Sequence, residues 1–170
     1  MMQHLRCKRL IYFIILLATL FFVIVLPSII VVQTPQEQQA TQHQNDIQAQ
    51  QATAASIFNN NLLVAGISLI PFLGWGYLLY VLWNTGIVIA SYGHPWYWIF
   101  NNTFAWIELA VYSYMVLQSW KLYRLGPQFR CNDFKVTFIK TMVYSMITAI
   151  LILLASALLE YAVISRVVPI

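Results

Sequence analysis

Residues 10–32 are apolar at almost every position. A helix needs roughly 20 such residues to cross about 30 Å of hydrocarbon at 1.5 Å per residue, so this run predicts a first transmembrane helix. A polar stretch follows at 33–56, rich in Gln, Ala and Thr, and then a second apolar region at 57–93. That region is too long for one span and carries Pro71, Gly74 and Gly76 near its middle, residues that break a helix and permit a tight reversal. It therefore divides into two short spans, 59–71 and 77–92, around a broken helix or short hairpin at Pro71 to Gly76. Two further apolar runs, 99–120 and 141–164, complete the pattern. The alternation of apolar and polar residues that a lipid-embedded β-barrel needs is missing, so the expected class is all-α, a polytopic helical membrane protein with about five membrane segments.

Composition agrees with this reading. Of the 170 residues, 61% are hydrophobic and 8% are charged. A soluble domain carries about a quarter of its residues as charges, so a water-facing surface cannot be built from this chain. The expected surroundings are a lipid bilayer, with the plasma membrane as the location.

Charge placement predicts orientation. Arg6, Lys8 and Arg9 fill a basic segment at 1–9, and Lys121, Arg124, Arg130, Lys135 and Lys140 border the last two apolar runs. Cytoplasmic flanks of membrane helices carry the excess of Lys and Arg, which puts the N-terminus inside and the net charge of +4 to use in topology, with no nucleic-acid partner implied. The first run exceeds the 7 to 15 apolar residues of a cleavable signal and leads into Gln33-Thr34-Pro35, so it is read as a retained span. Residues 33–56, with Glu37 and Asp46 as their only charges, are expected outside as a solvated tether. Span 99–120 must then run inward toward Lys121, which leaves the region of His94 outside. An even number of crossings is required between the tether and His94, either two full spans or a re-entrant hairpin. The core at 57–170 thus ends with its C-terminus outside. Trp96, Tyr97 and Trp98 at outer ends, and Trp120 with Tyr123 at an inner end, suit the aromatic belts of the interface.

The polar residues inside the spans are few. Glu108 lies about two turns into span 99–120, where an ionised carboxylate costs on the order of 2.5–3.5 kcal/mol. It is expected to face protein or water, or to be protonated, on a helix face shared with Asn101, Ala105, Tyr112, Met115 and Ser119. Asn84 lies at mid-depth in the preceding span, beside Thr85 and Gly86. A carboxylate and an amide on adjacent spans can bond each other, or line a path for ions or protons. Asn59, Asn60 and Asn61 open the second span as candidate helix caps, and Ala65 and Gly66 offer a smooth contact surface. Glu160, near the outer end of the last span, is read as snorkelling to the headgroups. Asn101-Asn102-Thr103 fits a glycosylation sequon at Asn101.

Catalytic chemistry has no signature here. His4, His43 and His94 are dispersed, Cys7 and Cys131 have no CxxC or Cys/His neighbour, and phosphate-loop, GxSxG and HExxH patterns are absent. Neither a metal nor a cofactor is expected, and the cysteines are read as free thiols.

One set of motifs resembles a known family: Ile57-Phe58-Asn59-Asn60-Asn61-Leu62 opening a span, Gly74-Trp75-Gly76 at a turn, Asn84-Thr85-Gly86 in the next span and Glu108-Leu109 in the one after. These resemble the stage II sporulation protein M family of small multi-span proteins, over about residues 57–124. The family pattern has an Asn-Gly pair and a His-Gly ahead of the Glu-Leu; here Thr85 separates Asn84 from Gly86, and Ala105-Trp106 replaces the His-Gly, so that histidine's role does not transfer. The resemblance implies a non-enzymatic membrane component, with Asn84, Gly86 and Glu108 as matching positions. The expected function is a scaffold or accessory subunit that forms a homo-oligomer or joins a larger membrane complex. The alternatives are a transport or channel subunit using Glu108 and Asn84, and an accessory subunit of a respiratory or other redox complex.

Overall fold

The computed structural model describes residues 2–31, 33–91, 102–125 and 132–167. Among them the chain is helical, without strands: α1 (Met2–Ile30), α2 (Pro35–Gln51), α3 (Ala54–Ser68), α4 (Leu73–Ser91), α5 (Thr103–Leu125) and α6 (Asn132–Val167). Three segments are long and apolar enough to cross a membrane: Leu10–Ile30 of α1, Leu73–Ser91 of α4 and Val136–Val163 of α6. That is fewer than the five expected. The shortfall has two causes. With 15 residues, about 22 Å of rise, α3 is too short, whereas α5 is long enough but carries Glu108, Gln118, Ser119 and several aromatic hydroxyls.

Of these two, α5 is the sheltered one, whereas α3 exposes one face that includes Leu63. α3 packs on α4, α5 and α6, and α5 packs on α1, α3 and α6. Along α5, Leu109, Val111, Tyr112, Ser113, Met115, Val116, Ser119 and Leu122 are all buried. The three apolar helices turn their large side chains outward, from Leu10, Ile14 and Phe22 on α1 to Leu151 and Leu158 on α6. Only 17% of the apolar window of α1, and 28% of those in α4 and α6, is buried within the chain. Hydrocarbon or another protein has to cover the rest.

The chain reverses between α3 and α4 in four residues. Leu69 caps α3, its N–H bonding the carbonyls of Gly66 and Ile67, and Phe72 takes a left-handed φ of 63°. Asn60, Asn61 and Val64 then face Val81, Leu82 and Ile89 across a common cavity, so the two helices run antiparallel. The break includes Pro71 as expected, but it ends earlier than Gly76: Gly74 and Gly76 both lie inside α4. Gly74 serves close packing, since a Cβ there would stand 2.2 Å from the Ile67 carbonyl oxygen. Gly86 does the same at the crossing of α4 with α1, where a Cβ would come 2.2 Å from the Ile24 carbonyl oxygen and 3.0 Å from Pro27 Cγ. Around Gly76 and Gly66 there is open space, so Gly66 is not the close-contact residue its sequence suggested.

One expectation is refined and another corrected. Residues 33–56 are more ordered than a tether requires: 35–51 form α2, exposed along most of its length, since Gln and Ala are good helix formers, and α2 folds back against α4. The Gln33 amide donates to the Ile87 carbonyl at 3.3 Å and the Gln42 amide to that of Ser91. At the start of α2 the Glu37 carboxylate accepts from the Thr34 backbone N–H and from its hydroxyl, both at 2.8 Å, which lowers the Glu37 pKa, the backbone bond most. Second, α3 is capped by Thr53, in a reciprocal box with Ser56, and not by Asn59, Asn60 or Asn61. Ser and Thr residues within the apolar helices bond the carbonyl one turn back, as Thr19 does to Ile15 at 2.9 Å, Ser113 to Leu109 at 2.8 Å and Ser145 to Thr141 at 2.7 Å.

The helix ends sort by charge. The α3–α4 turn meets the C-terminal end of α5 through aromatic contacts: Phe72 is edge-on to Tyr123 at 4.8 Å, and Trp75 lies 5.8 Å from Trp120, over which Arg124 sits at 5.3 Å. Lys121, Arg124 and the basic start of α6 share that end. Glu108 and Glu160 lie toward the other, where α5 begins and α6 finishes.

These close approaches separate the glycines. Gly74→Ala and Gly86→Ala should each destabilise the fold by about 1–3 kcal/mol through overpacking. Gly76→Ala should be neutral or stabilising by up to about 1 kcal/mol. Unfolding in mild detergent followed by circular dichroism measures all three, and equal effects at Gly76 and Gly86 would contradict the packing described.

Candidate functional site

The polar groups buried deepest in the bundle meet between α3 and α5. Asn61, only 7% exposed, projects from the second turn of α3, and its amide Nδ2 donates to Glu108 Oε1. Tyr112, one turn beyond Glu108 on α5, donates its hydroxyl to Asn61 Oδ1 at 3.2 Å. In this arrangement the amide NH₂ faces Glu108 and the amide oxygen accepts from the phenol. Glu108 and Tyr112 share a face because they are four residues apart on one helix, as the sequence pattern indicated.

This group borders a cavity of about 230 Å³ between α1, α3, α4, α5 and α6. Asn60, Asn61, Asn102, Glu108, Tyr112 and Glu160 supply its polar wall. Phe21 and Trp106 close one side, their rings stacked at 5.0 Å and 19°, with Phe104 beside them. Glu160 is partly buried and faces the cavity, near enough to Glu108 for their charges to repel. Its expected role as a snorkelling residue is therefore replaced by a place in the site.

Asn84, expected as the partner of Glu108, is elsewhere. Its Nδ2 donates to the Tyr80 carbonyl one turn back at 2.8 Å, and its side chain lies in a separate groove of about 330 Å³ with Tyr80, Val81, Thr85 and Val88. The groove is on the outside of α4, and Tyr80 is 67% exposed. Gly86, two residues on, is turned the other way, against α1. Of the predicted intramembrane residues, the structure thus brings Glu108 and Tyr112 together and separates both from Asn84. Asn59 and Asn60 are exposed on α3, and Asn60 reaches the rim of the cavity. The glycosylation candidate Asn101 and the outer aromatic residues 96–98 lie outside the described residues.

Two contributors were not assigned these roles from sequence. Asn61 stood in a run of three asparagines that reads as a cap, but it is four and seven residues from the buried Ala65 and Ser68, a helical spacing that marks it as inward-facing. Glu160 follows the buried Leu153, Ser156 and Ala157 at the same spacing. Among the described residues no group of three or more His, Cys, Asp or Glu converges at metal-binding distance. What the arrangement can do is lock α3 to α5 and present negative charge to a small cavity.

The bond network predicts the result of a double-mutant cycle. Tyr112→Phe removes one hydrogen bond and should cost about 0.6–1 kcal/mol. Asn61→Ala strands both the carboxylate and the phenol and should cost about 1–3 kcal/mol. Combined with Glu108→Ala, Asn61→Ala should show a coupling energy clearly different from zero, and Asn84→Ala should show none. Unfolding free energies in detergent check this. Comparison with protein-family profiles, with curated proteins and with solved structures gave no match to this chain.

Proposed function

We propose that this chain is a non-enzymatic scaffold or accessory subunit of the plasma membrane, assembling with copies of itself or with other membrane proteins. The outward groove on α4 carries this reading. Asn84 lies midway along an apolar helix, with Tyr80 and Thr85 beside it. Its bond to the Tyr80 carbonyl uses one N–H and leaves its amide oxygen and second N–H to an environment of lipid. Hydrocarbon supplies no hydrogen bond, whereas a helix from another subunit does.

In this reading five helices, α1 and α3 to α6, lie in the bilayer, with the polar α5 sheltered by the others. The end bearing Lys121, Arg124, Lys135 and Lys140 is cytoplasmic, together with the start of α1 and the α3–α4 turn. The likeness of the Asn59–Asn61, Asn84–Gly86 and Glu108-Leu109 motifs to stage II sporulation protein M points to the same kind of component.

A transport subunit is the second reading, favoured by two carboxylates on one cavity. Against it stands the extent of that cavity. On α5 it reaches from Phe104 to Tyr112, about 12 Å of helix, which is under half of roughly 30 Å of hydrocarbon.

Gentle solubilisation tests the assembly. The protein should elute well above the size of a single 19.6 kDa chain in its micelle, and Asn84→Leu should shift it toward the monomer while helicity is retained. A wild-type chain that runs alone and captures nothing would remove the basis of the proposal. Orientation is checked in a background with Cys7 and Cys131 replaced by Ser: a membrane-impermeant thiol reagent applied to intact cells should label Gln44→Cys on α2 and leave Phe72→Cys unlabelled.

A further inference from the structure

The cavity at the Glu108 end of the bundle has a composition that helix packing alone does not account for. Asn61 and Tyr112 are engaged with each other and with Glu108 Oε1, but Glu160 stands across the same space. Two carboxyl groups facing one cavity in surroundings of low dielectric are both ionised only at a cost, which a cation bound between them offsets. Among the described residues the lining contains no Lys, Arg or His.

The remaining wall is mostly aliphatic, with four aromatic residues, Phe21, Phe104, Trp106 and Tyr112, of which the first and third are stacked on each other. Carboxylates supply full charge and aromatic faces attract cations through the ring quadrupole, so the two together select an organic cation over a strongly hydrated inorganic one. Asn60 at the rim adds a carbonyl oxygen that accepts an N–H donor, whereas the Asn102 oxygen already accepts from the Ala105 backbone N–H at 3.2 Å. At about 230 Å³ the space is below the roughly 300–1,000 Å³ of sites for drug-sized ligands, which limits the occupant to a few heavy atoms.

We propose that this cavity is a binding site for a small organic ammonium ion, whose N–H groups donate to Glu108 and Glu160 and whose alkyl part lies against Phe21 and Trp106. The Asn61–Tyr112 pair holds Glu108 in place for it by occupying one carboxylate oxygen and leaving the other. This site goes beyond the assembly reading and does not depend on it, because every residue invoked belongs to a single chain and none lies in the α4 groove.

The full chain in mild detergent, at mildly alkaline pH, is titrated with butylammonium chloride by isothermal calorimetry, with butanol and sodium chloride as matched titrants. Saturable binding of about one butylammonium per chain is expected, with butanol and sodium giving none. Glu160→Gln and Glu108→Gln should each weaken it by about tenfold or more. Glu108→Gln retains an oxygen to accept from Asn61, and circular dichroism verifies that both variants remain folded. Tyr144→Phe, on the outer face of α6, should bind as the wild type does. Equal heats from butanol, displacement by equimolar sodium, or unchanged affinity in folded Glu160→Gln would each overturn the proposal. Loss of assembly in Asn84→Leu would leave these titrations unaffected, so the two readings fail separately.

Discussion

Hydrocarbon offers no hydrogen bond, and the arrangement of this chain follows from that constraint. Each backbone amide has to be satisfied within its own helix, and each side-chain hydroxyl or amide has to find an acceptor in the protein. Several Ser and Thr residues meet this locally, through the carbonyl one turn behind, while the buried hydroxyls of Ser119 and Ser156 have no partner among the described residues. Asn61, Glu108 and Tyr112 cannot all be satisfied locally. Their mutual bonds require α3 and α5 to be adjacent.

α5, the polar helix, is the sheltered one, and α1, α4 and α6 supply most of the apolar exterior. Two kinds of contact hold the assembly in register. At Gly74 and Gly86 backbones approach within a distance that excludes any side chain, so dispersion acts over the closest spacing available. At the basic end, Phe72, Trp75, Trp120 and Tyr123 use broad aromatic surfaces, with Arg124 over one of them. Small residues set the separation of α1 from α4, and aromatic residues tie the hairpin to α5.

Much of this was legible in the sequence because hydropathy and helical register are local properties. The five apolar runs, the reversal near Pro71 and the shared face of Glu108 and Tyr112 all come from spacing along one segment. The pairing of those segments does not. Nothing local distinguishes Asn61 from Asn84 as the partner of Glu108, since both are amides on apolar helices, and the choice depends on which faces pack. The same holds for glycine: Gly66, Gly74, Gly76 and Gly86 look alike in sequence, and only the path of α1 and the reversal of α3 reveal which two backbones are in contact. The helix of the Gln-rich segment was not legible because low charge and low complexity describe composition, while its docking on α4 depends on carbonyls exposed at the end of that helix.

The bond from Asn61 to Glu108 also imposes an order on synthesis. Its partners are separated by 47 residues. A ribosome therefore delivers α3, 15 residues long with a polar amide, well before the carboxylate that accepts from it. Until α5 is made, the Asn61 amide on the hairpin of α3 and α4 is without the carboxylate that accepts from it. The polar lock is thus a late event in biogenesis, and a chain truncated before Glu108 would leave the hairpin without it.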